Sequence, residues 1–188
     1  MHTFYNKVFC LEKITRQNRR ITNQKTSSQT DSVALFKKGM SLLKDNQKYE
    51  EALKCFNEFI LVKKDDPSAL LYQAICLKNL NKYSEAIESY NAVIKLNLSN
   101  DPSLSLNAFF NKALCLEKLS EYEKAIECYN QVIKLDSEAE LAFFKKAECY
   151  QILKKYEETN KCYQTLSRMN PFFLEFKNEI QITKNIEK

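Results

Sequence analysis

Apolar positions in this 188-residue chain recur at steps of three and four. Leu70, Ala74 and Leu77 form one such series, Phe109, Ala113 and Leu116 a second, and Ala125, Ile126, Tyr129 and Ile133 a third. This spacing puts them on one face of a helix, with polar residues on the other. The pattern itself repeats: "AFFNKALCLEKL" starts at Ala108 and "AFFKKAECYQIL" at Ala142, 34 residues later. A second motif starts at Tyr49, Tyr83, Tyr122 and Tyr156 ("YEEALKCF", "YSEAIESY", "YEKAIECY", "YEETNKCY"), with spacings of 34, 39 and 34. Each unit predicts a helix, a short turn and a second helix. A small residue marks the middle of each first helix (Gly39, Ala74, Ala113, Ala147), and another enters each second helix (Ala52, Ala86, Ala125, Thr159). Small residues at a crossing let helices approach closely.

Composition fits an all-α protein. One glycine and three prolines are too few for the turns of an all-β fold. No apolar run approaches the roughly 18 residues of a membrane span. The net charge of +5 has a local origin: residues 1–30 hold six of 29 cations and one of 24 anions, leaving 23 of each elsewhere. A folded part that is neutral overall argues against nucleic-acid binding through a basic face.

The four units resemble the tetratricopeptide repeat family. The second-helix pairs Ala52/Phe56, Ala86/Tyr90, Ala125/Tyr129 and Thr159/Tyr163 match its Ala-x-x-x-Phe element, and Pro171 closes the fourth unit in register. Leu35, Leu70, Phe109 and Phe143 stand where the pattern has Trp. The resemblance implies an all-α solenoid of four helix-turn-helix units, at about 32–66, 67–100, 106–139 and 140–171. It is flanked by a basic arm over 1–31 and a capping helix over 172–188, where Phe173, Phe176 and Ile180 share a face. Two departures stand out. The first internal turn, Lys44–Lys48, is one residue longer, and Asn97–Ser105 carries five extra residues that read as a loop.

Numbering each unit so that its small first-helix residue is position 8 explains the cysteines. Position 10 is Ser41, Cys76, Cys115, Cys149; position 23 is Cys55, Ser89, Cys128, Cys162. Six of seven cysteines thus occupy two packing columns, as small hydrophobes. There is no Cys-x-x-Cys pair and the only histidine is His2, so no metal site is expected. A single glycine cannot build a phosphate loop, and no histidine lies in the folded part for a nucleophile's base. No catalytic residue, cofactor or small-molecule substrate is expected. So many free thiols suit a reducing compartment.

By the resemblance, first-helix positions 2, 5, 9, 12 and 13 line a concave groove. Positions 5 and 9 give an apolar stripe: Phe36, Met40, Leu71, Ile75, Phe110, Leu114 and Phe144, with Glu148 closing it. Lys44, Lys78, Asn107, Glu117, Lys118 and Gln151 lie around it. Family members that hold chaperone C-terminal carboxylates use Lys at position 5 and Asn at position 9 of the first unit. Phe36 and Met40 stand there, so the stripe suits an amphipathic helix or extended apolar peptide of a protein partner. The competing readings are packing between first helices and self-association. The expectation is a non-enzymatic scaffold or adaptor in the cytoplasm. In the arm, Phe4, Val8 and Leu11 share a helical face among basic residues. Its alternatives are a mitochondrial targeting peptide, a membrane-surface helix, a segment filling its own groove, or a tail. RNA binding by helical repeats is the remaining rival class.

Overall fold

The computed structural model describes residues 32–45, 48–97 and 101–172. The arm over 1–31 and the capping helix expected over 172–188, from 173 onward, lie outside the described residues. Eight helices and no strand are found among them: α1 (32–43), α2 (Tyr49–Val62), α3 (Pro67–Asn79), α4 (Tyr83–Asn97), α5 (Pro102–Lys118), α6 (Tyr122–Leu135), α7 (Glu140–Ile152) and α8 (Tyr156–Met169). Consecutive helices from α2 to α8 pack against each other, and α3 also touches α5.

Local chemistry sets the boundaries. Asp66 caps α3 by accepting the Ala69 N–H at 2.9 Å, with Pro67 at the first helical position. Asp101 caps α5 in the same way, accepting from Ser103 at 2.9 Å and Leu104 at 3.3 Å, with Pro102 following. The loop expected over Asn97–Ser105 is therefore shorter than the sequence suggests. Asn97 ends α4, and residues 102–105 form the first turn of α5, where Ser105 is buried. Asp-Pro is a helix-start signal here; the insertion lengthens α5 to 17 residues.

Three internal turns share one geometry. Asn81, Ser120 and Lys154 adopt φ of 60°, 61° and 59°. The N–H of the following residue reaches back across the turn: Lys82 to the Leu77 carbonyl, Glu121 to Leu116 and Lys155 to Tyr150, each at 2.9 Å. The left-handed residue itself bonds Lys78, Glu117 or Gln151 at 3.0 Å. This is the Schellman closure that usually recruits glycine.

The predicted small positions lie at the helix crossings. Ala52, Ala74, Ala86, Ala113, Ala125 and Ala147 are all fully buried. Gly39 is the tightest case, since a Cβ there would stand 2.8 Å from Phe56 Cζ. The core is continuous along the chain. Leu53 packs into the clusters of both the first and second units, and Ile87 into those of the second and third.

Candidate functional site

The predicted stripe lies on the first helices α1, α3, α5 and α7, and its members differ in how far they are committed to the core. Phe36 is half-buried, with ring centroids 5.7 Å from Phe56, 5.2 Å from Phe59 and 5.8 Å from Tyr72. Met40 packs into the same cluster. Leu71 is buried in the second unit's core, and Ile75 packs beside it. Phe110 meets Tyr129 edge-on at 5.7 Å and is half-buried. Leu114 and Phe144 are half-buried. Phe36, Leu71 and Phe110 therefore pack within and between units, while every stripe member except Leu71 keeps part of its surface uncovered.

The polar side chains beside the stripe form a seam that the sequence reading did not find. Position 12 of one unit meets position 6 of the next. Lys78 Nζ donates to Asn111 Oδ1 at 2.7 Å, and Lys145 Nζ lies 3.7 Å from Glu117 Oε2. Lys145 also pairs with Glu148 at 2.8 Å. Between the first and second units these columns hold Leu43 and Tyr72, and both join the apolar cluster there. Pairing column 12 with column 6 one repeat onward is the signal that would have revealed the seam. Burial works against charge on Lys145, but the Glu148 bond and the charges of Glu117 and Glu148 outweigh it and raise its pKa. Burial alone prevails at Lys78, whose pKa is lowered, with Cys115 opposing the shift.

The same seam decides the fate of two equivalent tyrosines. Tyr129 and Tyr90 are both fully buried. The Tyr129 hydroxyl donates to Glu117 Oε1 at 2.5 Å, and the Cys149 thiol points at the same oxygen from 3.7 Å. Burial, then the Glu117 bond, raises the Tyr129 pKa. Tyr90 has Lys78 at the position corresponding to Glu117. An ammonium cannot accept a hydrogen bond, and the Tyr90 hydroxyl has no partner among the described residues. Opposite effects are expected from one substitution. Tyr90→Phe should gain about 1 kcal/mol by removing an unsatisfied hydroxyl, whereas Tyr129→Phe should lose about 1.5–3 kcal/mol with its charge-assisted bond. Urea denaturation of the two variants measures both, and shifts of the same sign would refute the assignment.

On the opposite side, α4 and α6 flank a shallow recess of about 390 Å³ over α5, lined by Ile87, Glu88, Lys112, Leu116, Lys124 and Cys128 among others. Among the described residues no group of three His, Cys, Asp or Glu side chains is placed to hold a metal, and no helix is long and apolar enough to cross a membrane. Six free cysteines are buried in the predicted columns. Ser89, which interrupts one column, instead donates to Gln73 Oε1 at 3.1 Å, and Gln73 in turn donates to Asn57 Oδ1 at 2.8 Å.

Stacked helical hairpins with a shared first-helix face define an α-solenoid of the helical-repeat class. The chain belongs to the tetratricopeptide repeat family: models of that repeat match residues 36–103 and 106–138, together more than half of the chain. No curated protein matches it. Among solved structures, a MamA fragment from Desulfovibrio magneticus RS-1 is 22% identical with a TM-score of 0.66, covering 74% of this chain and 76% of that one. A crystal structure of MamA is 17% identical with a TM-score of 0.70, covering 80% and 84%. The first TPR of Spaghetti (RPAP3), bound to the HSP90 peptide SRMEEVD, is 23% identical with a TM-score of 0.59, covering 65% and 93%. At these identities the likeness concerns the fold.

Proposed function

We propose that this chain is a non-enzymatic protein–protein interaction scaffold that receives an apolar segment of a partner along its first-helix face. The observation that carries this reading is the in-register stripe of half-buried Phe36, Met40, Ile75, Phe110, Leu114 and Phe144 on successive first helices. Such positions combine a rigid seat with surface still to be covered, which is how a few apolar anchors carry most of an interface. A fold neighbour that holds a peptide adds support. Phe36 and Met40 at positions 5 and 9 favour an apolar segment over an acidic chain end. The buried free thiols favour a reducing compartment, the cytoplasm in this reading.

Leu114 and Phe144 are the substitutions to test, with circular dichroism as the control for folding, because Phe110 meets the buried Tyr129 edge-on. Leu114→Lys/Phe144→Lys should retain its helical circular dichroism and lose at least tenfold in affinity for a partner captured from cells and remeasured with purified components. Unchanged affinity would move the binding surface to the recess between α4 and α6 or to the arm.

A further inference from the structure

The seam pairs its lysine with carboxylates at one end and with a neutral amide at the other. Between α5 and α7, Lys145 faces two carboxylates, Glu117 at 3.7 Å and Glu148 at 2.8 Å. Between α3 and α5, Lys78 occupies the site equivalent to Glu117, and its one hydrogen-bond partner among the described residues is the neutral Asn111 Oδ1 at 2.7 Å. No carboxylate of the described residues lies within ion-pair reach of it. An ammonium carries three N–H donors, so two remain to be used. Asn111 is itself fixed, donating to the Asn107 carbonyl at 2.9 Å, so Lys78 is tethered at a set point. Ile75 lies one turn before Lys78 on α3, and Leu114 one turn after Asn111 on α5. A half-buried cation whose partner is neutral is costly, and no carboxylate among the described residues offsets that cost.

We infer that Lys78 is the recognition point for one acidic side chain, Asp or Glu, set within an otherwise apolar partner segment that lies across α3 and α5. This rests on the first-helix face being the binding surface. A side-chain carboxylate is the simplest complement: one tethered ammonium serves a single carboxylate, and the half-buried apolar Ile75 and Leu114 lie one helical turn from Lys78 and Asn111. Burial holds the Lys78 pKa below the usual lysine value, and a carboxylate arriving there would oppose that shift and be held by a charge-assisted bond in a partly dry seam.

The test is a selection of random twelve-residue displayed peptides on the full chain, run in parallel on wild type, Lys78→Met and Leu114→Lys/Phe144→Lys. The expected result is a wild-type pool with one Asp or Glu at a fixed place between apolar residues. The Lys78→Met pool should remain apolar and lose the acid. In a selected peptide, Glu→Gln should weaken binding to wild type about tenfold and leave binding to Lys78→Met unchanged. Lys78→Gln, which keeps an N–H for Asn111, repeats the comparison if the methionine variant unfolds early. A wild-type pool without acid enrichment, or enrichment equal in both, overturns the role of Lys78 and leaves the apolar face standing. Pools that bind Leu114→Lys/Phe144→Lys equally well, or no pool at all, overturn the face itself and Lys78 with it. Single-stranded RNA retained by wild type and released by Lys78→Met would assign Lys78 to phosphate and likewise overturn the proposal.

Discussion

Phe56→Ala should cost about 3–5 kcal/mol, lowering the melting temperature by about 10 °C, with the first unit opening before the others. Phe56 is fully buried. Its ring stacks on Tyr72 at 5.6 Å with planes 19° apart, and meets Phe36 edge-on at 5.7 Å. The ring tip also fills the space left by the missing side chain of Gly39. Alanine would leave a void bordered by three elements: α1, α2 and α3. Because stacked repeats contact only their neighbours, the damage should stay local, and amide exchange should accelerate in 32–62 before 102–169. A linked test isolates the Gly39 contact. In wild type, Gly39→Ala should cost about 1 kcal/mol, as overpacking outweighs the helix propensity gained. With Phe56→Leu the ring tip is gone, and the same change should stabilise by up to about 1 kcal/mol. Additive effects would show that Phe56 does not dictate the glycine.

Stability should fall steeply above pH 9. Cys76, Cys115 and Cys149 are almost wholly buried, and burial pushes their thiols up to about 12, about 11 and about 12. The charge of Glu117 adds to the effect at Cys149. Unfolded thiols ionise near 9, whereas the folded ones keep their protons. Above that pH the unfolded state binds fewer protons, so rising pH favours unfolding by about 1.4 kcal/mol per thiol per unit. The three together should remove about 4 kcal/mol at pH 10, with full stability below pH 9 and continued loss until the folded thiols ionise near 11 and 12. Tyr90 and Tyr129, also held above their ordinary value by burial, act in the same direction from pH 10, while Lys78, held below its own, works against it. Urea midpoints from pH 7 to 10.5 test this. Replacing the three cysteines by alanine should flatten the curve; a midpoint that stays level in the unmodified chain would rule the explanation out.

The architecture was legible because helical repeats state their packing several times. Four small residues at position 8 and four at the second-helix entry are separate statements of one requirement, and all eight positions are buried. The cysteine columns were legible for the same reason. The start of α5 was misread because Asp-Pro serves both turns and helix N-termini, and only the bonds from Ser103 and Leu104 to Asp101 distinguish the two.

The periodicity, the hairpin units, the small-residue crossings and the placement of the thiols could be read from the amino-acid pattern alone, because each follows from steric or burial demands repeated within the unit. What depends on contacts between helices came only from the tertiary structure. Phe36, Leu71 and Phe110 could equally have been anchors for a partner or packing residues, and their neighbours Phe56, Phe59 and Tyr129 come from second helices. Tyr90 and Tyr129 occupy one column with the same surroundings in sequence, yet one hydroxyl is satisfied and the other is not. The difference lies in the side chain one helix away, Lys78 or Glu117, because a hydrogen bond needs an acceptor at a particular point in space and periodicity specifies only a face.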